Sequence, residues 1–163
     1  MFELPEKILL DDFNGDWMKF ENAVYQAFYN DFVRTKPTFR ETKIELKSPL
    51  LEDGREYTFY HMVSSGYDES SRKPDLRRYE RIKWAKPTIE QCDNWSLKVW
   101  PQERNGKNRI CIWLELDDEP DYIVVLDVRK NYILLWTTFT LNYKHEKKKK
   151  MKEYQEFLKG KSR

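Results

Sequence analysis

The chain has 163 residues, of which 39% are apolar, 15% are aromatic and 36% are charged. This apolar content excludes an intrinsically disordered chain, and a chain of this length can bury a normal core as one domain. No apolar run reaches the length of a membrane span, and the segment from Met1 to Glu6 lacks the parts of a signal peptide, so we expect a soluble, cytoplasmic protein with no membrane partner.

The pattern of apolar residues divides this single domain into four parts. Residues 1–14 are a lead-in, residues 16–95 are mainly helical, residues 96–140 form an antiparallel sheet, and residues 144–163 form a basic helix or tail. Asp16 is placed to cap a helix that runs to about Arg34, because large apolar residues recur at three- and four-residue spacing. Residues 38–47 alternate and predict a short edge strand or an extended arm, followed by a turn at Ser48-Pro49.

Two further helices are predicted in the helical part. Residues 56–65 read as a short aromatic helix that contains His61 and stops near Gly66, followed by a polar loop from Tyr67 to Pro74. Asp75 is placed to cap a second, arginine-rich helix through Trp84. Pro87 is expected to end it and is placed to open a further turn through Gln91.

Beyond residue 95 the periodicity changes from helix-like to strand-like. Four runs separated by three turns predict a four-stranded antiparallel meander, and the pair Asn105-Gly106 favours a type I′ hairpin. Strict alternation in the last strand places Tyr132, Trp136 and Thr138 on one face and Ile133, Leu135 and Phe139 on the other. The predicted fold is therefore α+β, with N-terminal helices packed on this meander and a basic C-terminal helix. Met151, Tyr154 and Leu158 give that last helix a narrow apolar stripe.

The net charge of +2 conceals an uneven distribution. Residues 144–163 hold nine Lys and Arg against three Glu, and residues 72–86 hold seven against two acids. The remaining residues are therefore net negative. Two basic regions on an acidic body predict a defined patch for an anionic partner, and RNA is the partner that a small sheet with cationic helices favours. Solvated, salt-bridged surfaces are the alternative interpretation.

Several residue types could serve RNA chemistry. His61 can exchange a proton near neutral pH, although a core histidine bonded to a backbone carbonyl is the alternative. His145 lies among lysines, which favours a solvated residue. The spacing of two Cys and two His matches no zinc pattern, so we predict no metal site, and no cofactor motif is present. The predicted RNA-binding residues are Arg72, Arg81, Lys83, Arg129, Tyr132, Trp136, Lys147 and Lys148.

Three stretches, Phe59–Val63, Pro74–Trp84 and Tyr122–Thr140, resemble the barnase/EndoU/colicin/RelE-like (BECR) fold of RNases, in particular its phage- and toxin-associated branches. The likeness covers roughly residues 56–143. It implies an endoribonuclease of toxin type that needs no metal and cleaves RNA by general acid/base attack of the 2′-hydroxyl. By position, the resemblance implies a catalytic set of His61, Arg77 or Arg78, Lys130, and Thr137 or Thr138.

The alternative is a noncatalytic module, either a nucleic-acid-binding protein or a phage or antitoxin-like protein that works through protein contacts. The first 71 residues contain 14 acids, which is unusual for a free-standing RNase. This excess favours either a surface for a neutralising protein partner or a noncatalytic relative. Arrested growth on expression would distinguish a competent RNase from a binding module.

Overall fold

The computed structural model describes residues 2–48, 50–66 and 68–161. The predicted turn at Pro49, the start of the loop at Tyr67 and the last two tail residues lie outside this set. Within it, the chain forms three layers: N-terminal helices, one large sheet, and a C-terminal helix. None of the helices in these ranges has both the length and the apolar character needed to cross a bilayer.

The first helix follows the predicted periodicity. A 3-10 turn at Leu10–Phe13 leads into α1, Trp17–Phe28, and the chain continues as a π-helical stretch, Tyr29–Arg34. The Asp16 side chain accepts a hydrogen bond from the backbone N–H of Lys19 at 3.2 Å, as a capping residue does. The buried stripe comprises Phe20, Val24, Phe28 and Phe32.

The remaining helices of this layer are short. They are α2, Tyr57–Val63, and α3, Leu76–Glu80, which a 3-10 turn at Ile82–Trp84 joins to α4, Ala85–Glu90. The expected cap of α3 is wrong in detail, because the Asp75 side chain pairs with Arg78 at 3.4 Å and makes no capping hydrogen bond. Pro87 lies inside α4 and does not end the helical segment, since a residue in the first turn needs no N–H partner.

The sheet is larger than the predicted four-stranded meander. Four strands pair consecutively and antiparallel: β5, Lys98–Arg104; β6, Lys107–Leu114; β7, Asp121–Val128; and β8, Ile133–Leu141. Two short strands, β1, Thr38–Phe39, and β2, Thr42–Glu45, extend it beyond β8. Because β2 runs parallel to β8, the result is a curled, mixed six-stranded sheet with the order β1-β2-β8-β7-β6-β5. A separate two-stranded ribbon, β3, Ser64–Ser65, with β4, Lys73–Pro74, encloses a 3-10 turn at Glu69–Ser71.

The hairpin between β5 and β6 has the geometry that its sequence predicts. Asn105 and Gly106 both adopt positive φ, at 52° and 74°. A two-residue loop of this kind matches the right-handed twist of the paired strands.

Each face of the sheet has its own core. The first core lies under the N-terminal helices and includes Ile112, Val124 and Leu126. The second core contains Trp100, Trp113 and Ile123, and the C-terminal helix α5, Lys144–Lys161, covers it. Met151, Tyr154 and Phe157 make that contact, whereas Leu158 of the predicted stripe is 42% exposed.

A bulge in β8 changes the predicted faces of that strand. The register shifts between Val125 and Leu126, which pair with Thr137 and Leu135, so that Trp136 has no direct partner on β7. Leu135 consequently packs in the first core and Phe139 against the second. The prediction that these two share a face was wrong, because one extra residue inverts the alternation beyond it.

Candidate nucleic-acid interface

Helix α2 lies along the edge of β8 where the short strand β2 has ended. The His61 ring approaches the carbonyl oxygen of Trp136, with Nδ1 3.0 Å away. Thr137 donates its hydroxyl to the His61 carbonyl at 3.1 Å, and Thr138 donates to the Met62 carbonyl at 3.3 Å. A carbonyl can only accept, so Nδ1 donates to it, and in the neutral imidazole Nε2 is then the acceptor atom.

The bulge places the indole of Trp136 among cations and rings. The guanidinium carbon of Arg109 lies 4.2 Å from its ring centroid, and Lys47 Nζ lies 6.0 Å away. The His61 ring centroid is 4.8 Å from it, and Lys47 also lies over the Tyr57 ring at 4.4 Å. We call these five residues, Lys47, Tyr57, His61, Arg109 and Trp136, the Trp136 cluster. It contains two permanent cations and no acid.

Asp127 lies next to this cluster on the second face of the sheet, and its side chain is 1% exposed. Its two oxygens bind different arginines, since Oδ1 accepts from Arg109 Nε at 2.7 Å and Oδ2 from Arg129 Nε at 2.6 Å. Arg129 also borders a groove of about 420 Å³ that Lys47, Tyr132 and Leu134 line. The cluster, the buried carboxylate and the groove therefore form one continuous region.

The residues that the sequence assigned to catalysis lie in different environments. Thr137 donates to the His61 carbonyl, and the hydroxyls of both threonines are directed to backbone carbonyls of α2. Arg78 donates to the Ser64 carbonyl at 2.5 Å, and burial lowers the pKa of its guanidinium. The remaining two, Arg77 and Lys130, are exposed.

The predicted RNA-binding residues fall on both sides of the sheet. Arg72 donates to the His61 carbonyl at 2.8 Å and to Ser64. Arg81 is 4% exposed and paired with Glu80 and Glu119, and Lys83 lines a separate groove with Asp31 and Lys86. On the α5 side, Lys147 pairs with Asp121 at 3.3 Å and Lys148 is exposed.

The two basic regions therefore do not form one patch. Residues 76–86 contribute to the first core and α5 to the second, so the sheet separates them. The part of the prediction that the structure brings together is Arg129, Tyr132 and Trp136, on the strand-turn-strand unit of β7 and β8.

No known protein family, curated protein or solved structure matches this chain. The resemblance to the BECR fold therefore stays a prediction. Within the described ranges, no three His, Cys, Asp or Glu side chains lie close enough together to hold a metal ion.

Sequence reasoning missed Lys47, Tyr57, Arg109 and Asp127 as members of this region. One signal was available for Asp127, which is an acid inside the otherwise apolar run Tyr122–Val128. A carboxylate that alternation directs into a core requires cationic partners. Arg109, at the register position opposite it on β6, supplies one.

Proposed function

We propose that this protein binds single-stranded RNA at the Trp136 cluster. The observation that carries the proposal is the indole of Trp136, with the Arg109 guanidinium 4.2 Å and the Lys47 ammonium 6.0 Å from its ring centroid. Single-stranded RNA needs rings for its bases and cations for its phosphates, and both are present here. The exposed ring of Tyr132, beside Arg129 in the adjoining groove, adds a second surface for a base.

A titration with labelled single-stranded RNA of about 12 nucleotides tests this proposal. Affinity should fall steeply between about 50 and about 200 mM salt, because phosphate contacts release counterions. Lys47→Gln should weaken binding and reduce the slope of log affinity against log salt by about 0.7, the value for one phosphate contact in a single strand. Lys43→Gln, which removes an exposed lysine from β2, is the matched control. A parent affinity that does not change with salt contradicts the proposal.

We infer a second function at the same site from the orientation of His61, namely cleavage of the bound RNA. The contact of Nδ1 with the Trp136 carbonyl supports Nε2 as a general base. In this reaction Nε2 takes the proton of a 2′-hydroxyl, whose oxygen then attacks phosphorus. The bond from phosphorus to the 5′-oxygen breaks, water protonates that oxygen, and a 2′,3′-cyclic phosphate remains. Thr137 and Thr138 act here as positioning residues, because their hydroxyls hold α2 on β8.

His61→Asn separates cleavage from binding. The asparagine amide can still donate to the Trp136 carbonyl, whereas the base is lost. Cleavage should fall by about 10²–10⁴-fold while RNA affinity persists, and His145→Asn should leave both unchanged. We also expect cleavage to continue in EDTA, since the described residues contain no cluster of metal ligands. If the parent protein cuts no RNA, or if His61→Asn cuts RNA as fast as the parent, the catalytic proposal is wrong and the protein is a noncatalytic binding module.

A further inference from the structure

The buried carboxylate of Asp127 holds two arginines in an unusual way. The surface pair Arg40–Asp93 shows the common arrangement, in which Nε and Nη2 of one arginine bind both oxygens of one carboxylate, at 2.9 and 2.8 Å. At Asp127 each oxygen is instead occupied by the Nε of a different arginine. One carboxylate therefore orients two guanidinium groups, and the three charges sum to +1.

The terminal nitrogens of both arginines remain available. Among the described residues, none of the Nη atoms of Arg109 or Arg129 has a hydrogen-bond partner. The Nη atoms of Arg109 also reach solvent. Among the described residues, the side-chain nitrogens that are both buried and without a hydrogen-bond partner belong to Arg78 and Arg81 alone. The Arg129 side chain is 39% exposed.

The position of the two arginines follows from the strand register. Arg109 on β6 is directly opposite Asp127 on β7, and Arg129 follows two residues later, so all three share the second face of the sheet. Helix α5 covers another part of this face, around Trp100, Trp113 and Phe139. Leu134, the partner of Asp127 on β8, lines the groove beside Arg129 and Lys47. The terminal nitrogens therefore lie where the Trp136 cluster meets the groove.

The partly buried arginines Arg72 and Arg78 differ from this pair. Each uses a terminal nitrogen to donate to the Ser64 carbonyl and so stabilises the ribbon of β3 and β4. A free guanidinium edge binds phosphate oxygens in a fork, and a fixed one loses little side-chain freedom on binding.

We propose that Arg109 and Arg129 form a phosphate-binding site, with Asp127 as the positioning residue that presents both. This proposal rests on the proposed RNA binding. The site binds one phosphodiester of the single strand, and the adjacent base lies in the groove against Tyr132. It recognises the backbone and therefore contributes affinity without sequence preference.

Charge-conserving variants test this site. Arg129→Lys keeps the charge but removes the fork, so RNA affinity should fall about tenfold, as for the loss of a charged hydrogen bond. Arg129→Gln should reduce affinity at least as much and lower the salt slope by about 0.7. Arg40→Lys and Arg40→Gln are the matched controls, because Arg40 also forms a pair with an aspartate but lies outside the region.

Asp127→Asn gives the sharpest result. The substitution removes a negative charge, so nonspecific electrostatic attraction alone would make RNA binding tighter. We expect weaker binding, because the two arginines lose the carboxylate that positions them. Asp93→Asn is the control. Circular dichroism checks that the variant is folded, and if it is not, Arg129→Lys decides alone. If the parent binds RNA and Arg129→Lys binds equally well, the phosphate site is refuted and the proposed function stands. If the parent binds no RNA, both are refuted.

Discussion

Replacing Tyr154 by alanine tests whether α5 is part of the folded domain. Its ring packs edge-on against Trp100, with centroids 5.4 Å apart at an angle of 63°, and Trp100 is 1% exposed. Truncating a fully buried aromatic ring costs about 3–5 kcal/mol, and an edge-to-face pair adds about 0.5–1.5 kcal/mol beyond area. Because Tyr154 is only partly buried, we expect the free energy of unfolding to fall by about 2 kcal/mol.

Leu158→Ala is the control on the same helix. Its side chain is 42% exposed and belongs to neither core, so the expected change is within about 0.5 kcal/mol. Urea titrations followed by tryptophan fluorescence report both variants, since Trp100 and Trp113 lie under the helix. At this chain length the Tyr154 change corresponds to a Tm lower by about 4–8 °C. Equal stability of the two variants would refute the packing argument.

The contact of α5 with the second core limits how the basic tail can be tested. Deleting residues 144–163 would uncover the second core, so any loss of RNA binding could reflect unfolding. Glutamine substitutions at exposed lysines of α5 remove charge without this cost. Lys148, Lys149 and Lys152 are suitable positions.

Three further outcomes are expected. Asp121→Ala should lower the free energy of unfolding in urea by about 2–4 kcal/mol, because Trp113 Nε1 and the Leu116 N–H each lose an acceptor at 2.9 Å. Asp118→Ala, at an exposed position, should change this free energy little. Gly66→Ala should cost about 1–3 kcal/mol, because its Cβ would lie 2.8 Å from the Arg72 Cα. A Cβ at Gly160 would meet no described atom within 4 Å beyond its chain neighbours and its own helix backbone, so Gly160→Ala should not destabilise. Burial raises the pKa of the Cys92 thiol and brings the pKa of Cys111 to about 11, so at pH 8 Ellman's reagent should label neither until the protein is unfolded; rapid labelling of the native protein would contradict this.

Elements with a strong local signal could be predicted from the sequence. The spacing of Phe20, Val24, Phe28 and Phe32 predicts α1 and its buried face, and Asn105-Gly106 predicts the hairpin. These signals depend on residues a few positions apart. The α+β class and the C-terminal helix followed from them.

Features that depend on distant contacts could not be predicted. The parallel pairing of Ile44 with Ile133 joins segments about 90 residues apart, and nothing in either segment specifies the partner. The bulge at Trp136 leaves no clear mark in a strand of mixed apolar residues. Composition also does not show what an arginine binds. The arginines of residues 72–86 suggested a site for an anionic partner, whereas in the structure Arg72 and Arg78 donate to backbone carbonyls.

Strand β5 ends the sheet on one side, and its sequence has a consequence for how molecules of this protein meet each other. An unpaired strand edge is a template on which a second molecule can add a strand, and long edges of this kind lead to aggregation. Pro101 interrupts the row of backbone donors in the middle of β5, and Lys98, Glu103 and Arg104 place charges along it. A strand approaching this edge would lack one hydrogen bond and would have to bury these charges, so β5 is a poor template for a second molecule.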